Sequence, residues 1–153
     1  MKKIDFGRVI GAIANIGVLV GILFLAIELR QNNDFARAEA RNSLTQSRYT
    51  LLEMQRDPRW IVATEKANSG QDLTFEDSIM LSSVRSAVFN HFENAFIQWQ
   101  LGVYSEGQFN AEAWALRSAL QDASYEQHWD EMQSSVSVEF REFVNSIIER
   151  NAD

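Results

Sequence analysis

VIGAIANIGVLVGILFLAI, residues 9–27, runs nineteen positions without a charge, bounded by Lys2, Lys3 and Arg8 before it and by Glu28 and Arg30 after it. As a helix rising about 1.5 Å per residue it reaches roughly 28 Å, the thickness of a bilayer's hydrocarbon core. The stretch therefore predicts a membrane span. A secretory signal needs a shorter apolar centre followed by small residues at a cleavage site. Here LFLAIELRQNN passes directly from bulky apolar residues to charged ones, so the segment is expected to stay as an anchor. A buried helix of a soluble fold is the other alternative, and an uncharged run of this length is rare there.

Orientation is more evenly balanced. Lys2, Lys3, Arg8 and the terminal amine stand against Arg30, Arg37 and Arg41 within reach of the positive-inside rule. The short Lys-Lys terminus leans towards a cytoplasmic N-terminus. The chain has no cysteine, which fits either compartment, because a helical core needs no disulfide.

The span carries a second pattern. At 100° per residue Gly7, Gly11, Ala14, Gly17 and Gly21 fall within a sector of roughly 120°. Gly7 to Gly11 and Gly17 to Gly21 have the small-xxx-small spacing that lets two membrane helices approach closely. Self-association, or docking on another protein's helix, is the expected use of this face. Asn15 lies outside it near mid-membrane, where a lone amide commonly makes a helix-to-helix hydrogen bond.

Working outward, no helix breaker separates Glu28 from Pro58, so the span is expected to continue as one long helix, with Gln31-Asn32-Asn33 its weak point. Ala36, Ala40, Leu44, Ser47, Leu51 and Met54 recur at spacings of four and three, one narrow packing face. Beside it Arg30, Arg37, Arg41 and Arg48 project within roughly 40° of one another. The stripe suits anionic lipid, a partner, or salt bridges within the chain. The last is preferred, because residues 67–153 carry fourteen acidic and four basic groups and can fold back on it. The same net −10 repels phosphate backbones, so no nucleic-acid partner is expected.

After Pro58 a short helix is expected at Trp60–Ala67, ending at the Asn68-Ser69-Gly70 turn. Thr74 with Asp77 reads as a capping box for a helix from Phe75 to about Leu101, stopped by Gly102. Leu81, Val84, Val88, Phe89, Phe92, Phe96 and Trp99 share its inward face. A loop around Val103 to Gly107 and helices near 110–121, 124–133 and 137–150 complete the chain. The fold class is all-α: an N-terminal transmembrane helix continuing into a long helix, then a small helical bundle. It divides into an anchor (1–29), a juxtamembrane helix with the arginine stripe (30–58) and an acidic bundle (59–153).

Arg85 sits on the aromatic core face between Leu81 and Phe89, where a guanidinium must be paired. A structural ion pair with Glu112, Glu131 or Glu142 is the preferred expectation; a site for a small anion is the alternative. His91 and Glu93 are about 200° apart on their helix and cannot converge. His128, among acidic neighbours that would raise its pKa, reads as a packed surface residue beside Trp129. Trp60, Trp99, Trp114 and Trp129 read as core rather than as a ligand pocket. Paired Glu-x-x-His helices, a nucleophile elbow and a Gly-rich phosphate loop are absent from the sequence, so no catalytic residue, metal or cofactor is expected.

IGVLVGILFLAIELRQNND, residues 16–34, and RSAVFNHFENAFIQWQLG, residues 85–102, resemble small proteobacterial membrane-anchored proteins of no assigned activity. These share an "IELRQN"-like segment after a single span, and an Arg, a "FEN"-like triplet and a Gly on a later helix. The resemblance implies a bacterial inner-membrane setting and brings no site residue. The expected role is a single-pass structural or accessory subunit that forms a homo-oligomer or docks on a membrane-protein partner in the lipid bilayer. The alternative is a membrane-tethered sensor or binding module for a small anionic ligand.

Overall fold

A computed structural model of the chain describes residues 6–152, without the side chains of Arg8, Val9, Ala12, Asn151 and Ala152. Lys2, Lys3 and the Arg8 side chain, which carried the expectation on orientation, lie outside the described residues. The elements are α1 (Phe6–Arg56), α2 (Pro58–Asn68), α3 (Phe75–Gln100), α4 (Glu106–Ala119), α5 (Ala123–Met132), a 3₁₀ turn (Gln133–Ser135) and α6 (Val138–Ala152), with no strand among the described residues. The fold class is all-α, with a long apolar N-terminal helix followed by a small helical bundle. Contacts divide the chain inside α1, into Met1–Glu39 and Ala40–Asp153.

In the first unit α1 is helical through Gln31-Asn32-Asn33 without interruption. The large apolar side chains from Ile10 to Leu25 are all between 58% and 66% exposed, so no face of the helix is covered by the chain. This is the one helix among the described residues long and apolar enough to cross a membrane, and none of its apolar window is buried. The core helix of a soluble protein would show the opposite.

The second unit is built around α3. Thr74 and Asp77 close the expected capping box, with the Thr74 oxygen accepting from the Asp77 N–H and the Asp77 carboxylate accepting from the Thr74 N–H. Lys66 reaches the same carboxylate at 2.7 Å and joins α2 to the start of α3. Side-chain bonding to Lys66, then to Thr74, holds the Asp77 pKa down at about 2. At the other end Gly102 takes φ 69°, which lets the N–H of Val103 reach the Gln98 carbonyl and that of Gly102 the Trp99 carbonyl. Gly70, φ 67°, ends α2 by the same device.

The inward face of α3 buries Leu81, Val84, Val88, Phe89, Phe92 and Phe96; Trp99 remains 37% exposed while stacking on Phe109 at 4.5 Å. Around them pack Leu51 of α1, Phe109 and Leu116 of α4, Trp129 of α5 and Phe140, Val144 and Ile147 of α6. Trp129 is fully enclosed, its ring 5.0 Å from Phe89 and its indole N–H donating to Asn145 at 2.8 Å. Helix α4 begins at Glu106, earlier than the expected Asn110, because Ser105 and Gln108 form a second capping box and Gly107 lies inside the first turn. From the expected packing face of α1, Leu44 and Leu51 are buried, Ala40, Ser47 and Met54 half-buried, and Ala36 exposed.

Candidate functional site

A polar cluster joins three helices of the second unit. On α4, Phe109, Glu112 and Leu116 occupy one face at spacings of three and four, so the Glu112 carboxylate enters the core and is only 6% exposed. On α3, His91 lies among Val88, Phe92 and Ala95 and is 4% exposed. One terminal nitrogen of Arg48, from α1, donates to both Glu112 oxygens at 3.0 and 2.9 Å. His91 Nδ1 lies 3.0 Å from the Ser47 hydroxyl, and its Nε2 stands 3.5 Å from Glu112 Oε2, too far for a full hydrogen bond. Burial opposes the charge of Glu112, but the His91 ring and the Arg48 guanidinium outweigh it and hold the carboxyl below its ordinary range. Facing an ionised carboxylate, Nε2 is favoured to carry the proton, which leaves Nδ1 to accept from Ser47.

Ser47, His91 and Glu112 have the connectivity of a nucleophile, base and acid. Ser47, however, lies inside continuous helix α1, where backbone N–H groups bond carbonyls one turn back, so the segment offers no free pair of donors for an oxyanion. The arrangement acts as a clamp: one carboxylate ties α1, α3 and α4 together. Two clefts open on it. One of about 260 Å³ is lined by Arg48, Gln55, His91, Glu112, Ala119 and Tyr125 among others. A second, of about 370 Å³, lies between Thr45, Tyr49, Tyr104 and the same Arg48–Glu112 pair. Burial and then Glu112 raise the Tyr104 pKa.

Arg85 does not receive the expected carboxylate. Among the described residues none of the salt bridges involves it: Glu112 is held by Arg48, and Glu131 faces His128 at 3.8 Å. Instead the half-buried guanidinium lies over the Tyr125 ring, 5.8 Å from its centroid, and its buried Nε has no hydrogen-bond partner. His128 also departs from expectation. It is 6% exposed, its Nε2 lies 2.8 Å from the Ser86 hydroxyl, and burial lowers its pKa against the pull of Glu131. The half-turn of α5 that places Trp129 in the core carries its neighbour in as well.

His91 and Glu93 point to different elements, Glu93 accepting from the Ser137 N–H at the start of α6 at 2.7 Å. Of the stripe, Arg48 meets Glu112, Arg41 is exposed in the second unit, and Arg30 and Arg37 are exposed in the first. Trp114 is 68% exposed, so the four tryptophans do not form one wall. A Cβ added at Gly11, Gly17 or Gly21 would meet nothing within 4 Å; those positions, with Gly7 and Ala14, are exposed. Sequence reasoning left His91 out as a contact, although a histidine and a glutamate on the apolar faces of two helices were the available signal. Compared with models of protein families, with curated proteins and with solved structures, the chain matches none of them.

Proposed function

We propose that this protein is a single-pass subunit of the bacterial inner membrane that self-associates, or docks on a membrane partner, through the Gly7, Gly11, Ala14, Gly17 and Gly21 face, and carries its helical bundle on the aqueous side. The observation that supports this reading is the uniform exposure of the apolar side chains from Ile10 to Leu25, together with open space at three of the glycines. Such a surface is stable in lipid, and a helix with a small-residue side gains van der Waals contact from a second helix that lipid does not supply. Replacing Gly17 and Gly21 with Ile places branches on that side. The expected result is loss of the oligomer or complex in mild detergent, read as mass by light scattering. An unchanged mass contradicts the assignment of this face.

Arg85 supports a second reading, a membrane-tethered sensor for a small anion. A half-buried guanidinium with an unpartnered Nε, no carboxylate paired with it among the described residues and an aromatic ring beneath it has capacity left for an anion. In that case Arg85→Ala leaves the melting temperature of the unliganded protein nearly unchanged and removes the stabilisation produced by small carboxylates or phosphates. A wild-type protein whose melt ignores the whole panel argues against the sensor.

A further inference from the structure

A groove of about 700 Å³ opens where the end of α1 meets α2 and the first turns of α3, and it shares no lining residue with the two clefts at the polar cluster. Met54, Pro58, Val62, Ile79 and Met80 give it an apolar lining, with Arg59 on α2 and Glu76 on α3 among its charged residues. Beside it Phe75, the first residue of α3, is 81% exposed and stands one turn before Ile79 on the same face. Ile61, Val62 and Ile79 are exposed as well, so the apolar surface here is roughly several hundred Å², the size at which a patch marks an interaction site. The charges keep spare capacity. Arg59 gives Nε and one terminal nitrogen to Asp57, leaving its other terminal nitrogen free, and Glu76 makes no salt bridge among the described residues.

A lipid tail would leave both charges unmet, and a partner of one sign would meet only one of them. A second copy meets both. Projection and groove lie side by side on one face, so a two-fold axis between them seats Phe75 of each copy in the groove of the other. The same axis exchanges the opposite charges and sets Arg59 of one copy against Glu76 of the other, twice. Several hundred Å² falls short of the roughly 800 Å² per partner of a stable interface, so free chains in dilute detergent do not pair this way. Copies held together by their anchors meet at an effective concentration on the order of millimolar, where a small face suffices. We infer that the α2–α3 face pairs with the same face of a second copy, Phe75 entering the groove between Met54, Val62 and Met80, and Arg59 meeting Glu76. The inference rests on the self-association proposed for the anchor and extends it to the bundle.

The chain has no cysteine, so one reporter thiol can be placed at will. Ser83→Cys lies exposed in the groove lining, and Ser134→Cys, exposed on the turn before α6, is the control. Full-length chains in proteoliposomes are treated with a short bismaleimide and the cross-linked dimer is measured. Ser83→Cys is expected to cross-link about tenfold more than Ser134→Cys. Phe75→Ala, Arg59→Glu or Glu76→Arg should each return it to the control level, with an unchanged circular-dichroism melt because all three side chains are exposed. Mixing Arg59→Glu chains with differently tagged Glu76→Arg chains restores both ion pairs and should recover the cross-link, between unlike tags only. A Ser83→Cys yield no higher than the control overturns the inference; blocked labelling there then shows lipid or a different protein on the face, and free labelling an uncovered one. A mixture that stays at the level of either reversed chain overturns it too. Mass in mild detergent judges the anchor separately. An oligomer there without the Ser83→Cys cross-link strikes this inference alone, and a monomer there with the cross-link strikes the small-residue face alone.

Discussion

The two ends of α1 are one helix in two environments. From Ile10 to Leu25 every large apolar side chain is exposed to a similar degree, and the glycines at 11, 17 and 21 face open space. From Ala40 onwards burial is restricted to one side: Leu44 is 2% and Leu51 9% exposed, while Tyr49 and Leu52 on other faces remain exposed. Continuity of helix therefore says little about what solvates it. The distribution of apolar residues around the circumference does, because an all-round apolar helix needs lipid or protein on every side and a striped one needs a core on one.

The largest expected effect comes from separating the two regions. A chain beginning at Ala40 retains Leu44, Leu51 and the Arg48–Glu112 clamp and should lose membrane retention altogether. It should still unfold cooperatively in a circular-dichroism melt. A non-cooperative melt would show that the bundle needs the first unit.

The comparison sharpens when one substitution is made on both sides of the boundary. Leu44→Ala removes a side chain enclosed by the core and should cost about 2–5 kcal/mol in denaturant titrations. Leu19→Ala, at 66% exposure, should leave the bundle's unfolding midpoint where it was. Equal effects would mean that the two regions share one core.

Charge gives a smaller contrast. Arg48→Ala removes a hydrogen-bonded partner of a buried carboxylate, but the arginine itself is 56% exposed and water can replace it in part. About 1–2 kcal/mol of destabilisation is expected, against no measurable change for exposed Arg37→Ala.

The mildest expected effect is on acid stability. Burial lowers the His128 pKa from its ordinary 6.5, so the unfolded chain takes up a proton there before the folded one does. Stability then falls as pH drops below about 6.5 and levels off below the folded value. Glu112 is shifted downwards from 4.5, and Asp57 and Asp77 from 3.8 to about 2, so their contribution is complete above the ordinary carboxylate range and is lost at lower pH. His128→Gln should flatten the upper window alone. A slope near pH 6 that survives this change assigns it to another group.

Much of the fold was legible because local chemistry dictated it. The apolar run, the Thr74–Asp77 box and Gly70 and Gly102 each act over a few residues, and the helix ends they imply lie within a residue or two of those observed. The start of α4 differs from the expectation because Gly107 suggests a loop, whereas Ser105, two positions before it, and Gln108, the residue after it, supply the cap. The polar cluster was hardest to read. Glu112 could be placed on an apolar face, but its choice of Arg48 over Arg85 depends on how α1, α3 and α4 meet, 64 positions apart in sequence for that pair. His128 was misplaced for a related reason: its acidic neighbours are visible in the sequence, and its burial against Ser86 is not.

Membrane insertion of α1 is the centre of the account, and the cysteine-free chain permits a direct measurement of it. Single cysteines are introduced at Val18, within the apolar run, and at Ser134, exposed in the bundle, and each is exposed to a water-soluble maleimide in membranes opened on both sides. The account predicts that Ser134→Cys labels readily and Val18→Cys stays unlabelled until the membrane is dissolved in denaturing detergent. Labelling of Val18→Cys at the rate of Ser134→Cys in intact bilayers would contradict it.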